Sequence, residues 1–195
     1  VYESLLGPVD QVSTGAVTLV KEEGGARLLY VDASAGGSMA AAGNPRVYLS
    51  LATGTRVDIT DVQARTDATW DLSVKRVLLF TNSGEAGPGQ GGAVQVAKAF
   101  ADVTAADVPA TVPPEDFYSE DCIASVDPTN AVVTTFSDWY NYDETTHIPT
   151  PKAATYVVKG ADGKLYKVAI ESYQASPDGT PGQATGRYLL RVAAL

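Results

Sequence analysis

The sequence predicts an all-β fold, and three observations carry that expectation. Short runs alternate apolar and polar residues on a period of two, as in Tyr166, Val168 and Ile170 or Tyr188, Leu190 and Val192. Clusters of Gly, Pro, Asn and Asp separate these runs at short intervals. No segment keeps a helical period long enough to stand as a stable amphipathic helix, which leaves strands as the material of the core.

Taken in order, residues 1–12 read as an N-terminal arm or an edge segment. Residues 16–21 (AVTLVK) and 27–31 (RLLYV) read as strands joined through Glu22, Glu23, Gly24 and Gly25, since Gly-Gly between β-rich runs marks a hairpin. Residues 32–45 lack aliphatic bulk and read as loop. Residues 46–51 and 55–59 form a second hairpin about Ala52-Thr53-Gly54. The next run, residues 70–80, is expected to be one strand with Leu72, Val74, Leu78 and Phe80 on one face. Arg76 shares that parity and is expected to pair or to lie at a rim.

That run breaks into Asn82-Ser83-Gly84 and a loop holding Gly84, Gly87, Gly89, Gly91 and Gly92. The loop has no Gly-Lys-Ser/Thr ending and no strong helix behind it, so it is not a phosphate-binding loop. It is expected to be a structural reversal with at least one positive φ. Residues 93–103 fit helix or strand. Thr104 with Asp107 has the spacing of a helix start, and Pro109, Pro113 and Pro114 stop anything long. Residues 114–121 are expected to hold one helical turn, residues 131–140 to be strand, and residues 140–152 to be a turn-rich excursion. Residues 156–159 and 164–173 form a hairpin through Ala161-Asp162-Gly163, read as a type I′ turn. Residues 176–182 are loop, and residues 187–192 a closing strand with Tyr188, Leu190 and Val192 inward and Arg187 and Arg191 outward.

Composition narrows the function. With 195 residues the chain is long enough for one domain with a real core, and residues 1–195 are read as such. The 23 acidic and 14 basic residues give a net charge of −9, and the few cations are not clustered, so nucleic acid is excluded as a partner. Cys122 is the one cysteine, which rules out an internal disulfide and a cysteine metal site. No apolar run is long enough to span a bilayer, and Val1 opens without the pattern of a signal peptide. His147 is the one histidine, no Gly-x-Ser-x-Gly elbow occurs, and the acidic pairs Glu115-Asp116 and Glu120-Asp121 read as a solvated face. The chain is therefore expected not to be an enzyme.

Three segments carry a family resemblance. One is Trp70-Asp71-x-x-x-x-Arg76 followed by Thr81-Asn82-Ser83-Gly84-x-x-Gly87-x-Gly89-x-Gly91-Gly92-Ala93. Another is Val47-Tyr48-Leu49-Ser50-Leu51-Ala52-Thr53-Gly54. The third is Tyr156-Val157-Val158-Lys159-Gly160-Ala161-Asp162-Gly163-Lys164, running into Tyr166 and then Ser172-Tyr173-Gln174. In this order they resemble the HmuY family of bacterial haem-binding proteins, from about residue 45 to the C-terminus. The resemblance implies a HmuY-like, almost wholly β fold with a pocket between strand-borne loops. It implies a secreted, periplasmic or cell-surface location with a leader removed, and binding of haem or another planar or apolar ligand.

In that family two side chains on separate loops, histidines or methionines, hold the iron. Counting back from Gly160, one of these positions falls near Asn141 or Tyr142, or at His147 if a short gap is allowed. The other falls between residues 112 and 126, where this chain has no histidine or methionine. Two histidines cannot serve when only one exists. The donors left for a bound iron are His147, Tyr142, Met39 and Cys122. A different class of function is assembly at the cell surface, residues 1–12 adding as a strand to a neighbouring copy or an outer-membrane partner.

Overall fold

A computed structural model of the protein describes residues 3–195. Its strands are β1 (Val17–Glu23), β2 (Ala26–Asp32), β3 (Val47–Ser50), β4 (Thr55–Arg56), β5 (Leu72–Lys75), β6 (Leu78–Thr81), β7 (Gly92–Val96), β8 (Tyr140–Asp143), β9 (Ile148–Pro151), β10 (Thr155–Lys159), β11 (Leu165–Ser172) and β12 (Arg187–Ala194). They pair as a six-stranded sheet in the order β1-β2-β12-β11-β10-β7, a four-stranded sheet β4-β3-β5-β6 and a hairpin β8-β9. Every pairing is antiparallel. Only short 3-10 turns accompany them, so the fold is all-β as the sequence predicts.

Alternation decides which side chains meet. In the large sheet Val31 lies opposite Tyr188, Leu29 opposite Leu190, Leu190 opposite Ile170, Val192 opposite Val168, and Val168 opposite Tyr156. Directly opposed residues share a face, and all of these are buried. In the smaller sheet Val47 opposes Val74 and Val74 opposes Leu79, while Leu49 opposes Leu72. The two rows merge into one apolar cluster between the sheets. Burial of each large side chain there contributes about 1.5–3 kcal/mol.

Residues 70–80 differ from expectation in an instructive way. They are not one strand but the hairpin β5-β6, turning at Arg76 and Val77. Arg76 has φ 51, in the left-handed region that few side chains enter. Tertiary contacts hold it there. Its N–H donates to Ala33 O, its guanidinium donates to Thr185 O at 3.0 Å and Thr185 Oγ1 at 2.9 Å, and Tyr188 Oη donates to its carbonyl. The turn shifts the parity, so Leu79 rather than Leu78 or Phe80 faces Val74.

Other local expectations are corrected by the same competition between pattern and context. Residues 114–121 form no helical turn, because Glu115 is drawn inward and Tyr118 bridges Ala124. Residues 131–140 are not a strand. Thr134 N–H donates to Ser137 Oγ and Ser137 N–H to Thr134 O, a local turn that drives Phe136 into the core. Residues 140–152 are more regular than expected, as the hairpin β8-β9. In the turn between β10 and β11 only Gly163 has positive φ, so it is not type I′, which needs two such residues. Residues 93–103 resolve to β7 followed by a 3-10 turn, and Thr104 with Asp107 forms the expected reciprocal cap. Of residues 1–12, the first two lie outside the described residues. The rest is anchored at points: Leu5 and Leu6 are buried, Val9 N–H donates to Asp61, and Val12, itself exposed, bridges Thr60.

Trp70 immediately precedes β5 and is fully buried, its Nε1 donating to Ala64 O at 3.1 Å and its ring edge-on to Tyr48. Trp70→Ala should destabilise the protein by about 3–5 kcal/mol, the range for aromatic truncation in a core. Urea unfolding checks this, and an unchanged midpoint would show that the tryptophan carries no core.

Candidate functional site

The glycine loop is built around two polar residues, Asn82 just before it and Glu115 well after it in sequence. Asn82 is fully buried; its Nδ2 donates to Asp67 O and Trp70 O, and its Oδ1 accepts from Gly89 N–H at 2.9 Å. Gly84 has φ 50, and a Cβ there would come within 2.0 Å of Glu115 O, so no other residue fits. Glu115 in turn accepts from Thr81 N–H at 2.9 Å, Thr135 N–H at 3.0 Å and Thr135 Oγ1 at 2.6 Å. Burial pushes its carboxyl above the usual range, against hydrogen bonds from Thr135 and Thr81 that pull it down. The contact of Glu115 with Thr135 closes the neck of a lobe, residues 116–134, which rises from the sandwich.

That lobe and the hairpin β8-β9 bound a cleft of about 340 Å³. Its floor is Val77, Leu78, Val132, Phe136 and Trp139, and its walls include Ala131, Asp127, Tyr140 and Tyr142. Trp139 is anchored by its Nε1 donating to Val77 O at 3.0 Å, with rings of Tyr140, Tyr173 and Tyr188 around it. At the rim Lys152 pairs with Asp138. The lobe also presents Tyr118, Ile123, Val126 and Val133 to solvent, an apolar lip for a surface of this charge.

The hairpin brings two of the predicted donors together. Tyr142 lines the cleft and is 45% exposed, and its hydroxyl lies 3.0 Å from Nδ1 of His147. His147 closes the hairpin turn with φ 59, its N–H donating to Asp143 O at 2.7 Å. The Asp143 carboxylate accepts from Thr145 and Thr146 N–H, and those bonds hold its carboxyl below the ordinary range. The other two donors stand apart. Cys122 is exposed on the lobe with φ 58 and does not line the cleft, and Met39 is 98% exposed beside the 3-10 turn at Ala41–Gly43. Trp139, Phe136 and Asp127 were not singled out from sequence. Trp139 sits in a run whose pattern mimics a strand, and only its size hinted at a floor.

With this geometry in view, comparison with known proteins is decisive for the family. The family model described as HmuY protein matches residues 43–188. The chain belongs to the HmuY family. No curated protein sequence matches it. Among solved structures it is similar to a protein of Bacteroides fragilis NCTC 9343 provisionally described as a lipoprotein, at 17% identity and TM-score 0.56, covering 91% of this chain and 92% of that one. It is similar to a protein of Bacteroides vulgatus ATCC 8482 provisionally described as HmuY-like and heme-binding, at 17% identity and TM-score 0.54, covering 91% and 95%. The apo HmuY analog of Tannerella forsythia matches at 14% identity and TM-score 0.55, over 95% of this chain and 100% of that one. At these identities the likeness is one of fold. No helix among the described residues is long and apolar enough to cross a membrane.

Glu115→Ala should leave the Thr81 and Thr135 amides without their acceptor inside the protein. The expected cost is about 1–3 kcal/mol for each buried donor left unpaired. Hydrogen exchange should show residues 116–134 opening before the sandwich does. Uniform loss of protection across both sheets would instead make Glu115 part of the global core.

Proposed function

We propose that the protein is a non-enzymatic binding domain spanning residues 1–195, placed outside the cytoplasm, whose cleft takes haem or a similar planar apolar ligand. The single observation that carries this reading is the pairing of Tyr142 with His147 beside an aromatic floor. Family membership and the description of the Bacteroides vulgatus relative support the ligand class.

The residues present fit such a group in one particular way. Trp139, Phe136, Val132 and Leu78, themselves almost fully buried, back the cleft, and Tyr140 and Tyr142 give it the aromatic surface that a macrocycle would meet. No histidine, methionine or cysteine lines the cleft, so the family's usual donors are replaced by a phenol. When ferric haem is bound, its iron supplies a Lewis-acid centre that a phenolate oxygen can fill. Tyr142 is the ligand in this proposal, and His147 is the positioning base. As the Tyr142 O–H bond breaks, its proton passes to Nδ1 of His147, and the Tyr142 oxygen becomes the anionic donor. Met39 and Cys122, away from the cleft, are given no role here. Assembly by strand addition is the second reading; burial of Leu5 and Leu6 and the bond from Val9 N–H to Asp61 count against the whole segment being free to add to a neighbour.

Titration with haemin, followed by visible and resonance Raman spectra, tests the reading. The expected product is high-spin ferric haem with a tyrosinate signature, lost in Tyr142→Phe. In His147→Ala the phenol proton must go to solvent, so binding should weaken and should recover more steeply as pH rises. No Soret change at about 10 µM protein, the range of a specific micromolar site, would overturn the haem reading. Identical spectra in Tyr142→Phe would overturn the assigned ligand.

A further inference from the structure

A second cavity, also of about 340 Å³, lies against the outer side of the smaller sheet and shares no lining residue with the cleft. Leu6, Arg46, Asp61, Arg65, Phe80 and Phe117 bound it, with Glu85 and Tyr118 at one end. Its charge balance is uneven once partners are assigned. Asp61 is occupied, accepting from Val9 N–H at 2.9 Å, Arg46 N–H at 3.0 Å and Tyr48 Oη at 2.9 Å. Glu85 is occupied by the N–H groups of Phe117 and Tyr118. Both carboxylates therefore accept their hydrogen bonds from the backbone or a phenol, and Asp61 acts on the nearby Lys75 only through its charge.

The cations are not matched in the same way. Arg46 lies over the Phe80 ring at 5.1 Å and donates Nη2 to Leu6 O at 2.9 Å, but its Nε is buried without an acceptor. The register that sets Val47 opposite Val74 carries Lys75 across from Arg46. Lys75 is 1% exposed and its Nζ also has no partner. Arg65 stands exposed at the mouth. Two like charges opposed on adjacent strands repel, and buried donors without acceptors are costly. Burial and the neighbouring Arg46 push the Lys75 ammonium down, and Asp61 offsets this only in part. An anion seated at Arg46 would give the guanidinium a carboxylate partner and ease the repulsion between Arg46 and Lys75.

We propose that this cavity binds a small organic carboxylate with an apolar or aromatic body. The body lies along Tyr118, Ala86 and Pro88, backed by the almost fully buried Phe80, Phe117 and Leu6, and the carboxylate meets the guanidinium of Arg46, with Arg65 closing the mouth. Guanidinium matches a carboxylate in two-point geometry, whereas a lone phosphate would leave the aromatic wall unused. Lys75 does not touch the ligand; it acts through the local field.

Calorimetric titration at low ionic strength, with phenylacetate as probe and phenylacetamide as its neutral counterpart, tests this. Phenylacetate should bind saturably and at least about tenfold more tightly than the amide. Arg46→Met risks the fold, because Arg46 holds Leu6, so Arg65→Gln and Lys75→Met are the variants to read. Arg65→Gln should weaken phenylacetate several-fold without changing the melting temperature. Lys75→Met should raise the melting temperature of the free protein and weaken the anion as well. Equal affinity for acid and amide would show that solvent suffices for these donors and would overturn the proposal. So would unchanged affinity in both variants, or no saturable heat at about 10 mM probe. Haemin titration of the same variants reads the cleft separately.

Discussion

One buried carboxylate ties the two sheets together. Asp71, 8% exposed, accepts from Leu51 N–H at 2.7 Å and from Ala161 N–H at 2.9 Å. The first donor follows β3 in the smaller sheet, and the second sits in the turn between β10 and β11 of the larger one. The backbone of Asp71 extends the same tie, its N–H donating to Leu49 O and its carbonyl accepting from Asn82 N–H. A charged group is tolerated inside a protein only when its hydrogen bonds are supplied, so Asp71 makes the spacing of the sheets specific where apolar packing alone would let them slide. Gly160 belongs to the same contact, since a Cβ there would lie 2.7 Å from the Asp71 oxygen.

The loops depend on this tie in sequence. Asn82 is fixed because Asp71 is, the glycine loop wraps Asn82, and Gly84 lets Glu115 approach. Glu115 then draws in Thr135 and sets the lobe. The cleft is thus walled by a lobe tied to the sheet interface through this chain of contacts, while its floor lies directly on β6 at Leu78. Its floor is rigid because Trp139 and Phe136 belong to the same apolar cluster as the sandwich. Of its walls, Thr129 and Tyr142 are exposed, whereas Tyr140 packs against that same cluster.

Much of this frame was legible in the residues. The alternation in β11 and β12 gave the inward faces, whereas β2 is buried on both sides, Leu28 and Tyr30 packing with Ala175 and Leu189. The family motifs gave the order of the frame. The failures have a common cause. In residues 70–80 and 131–140, turns are held by partners distant in sequence: Arg76 by Ala33 and Thr185, Thr135 by Glu115. Local pattern has no access to such partners. The site was legible as a set of donors but not as a pair. Tyr142 and His147 are five positions apart, and only the hairpin with a left-handed His147 brings the hydroxyl to the imidazole.

The hairpin β8-β9 holds its own turn through Asp143, closes its own base where Lys152 N–H donates to Trp139 O, and meets the large sheet where β9 packs against β11. Ligand chemistry carried on such an element can be rewritten without recoding the scaffold. A graft of the segment between Trp139 and Lys152 from one relative to another would exchange the donor set as a cassette. For the engineer of binding proteins, this makes the sandwich a chassis and the hairpin its interchangeable head.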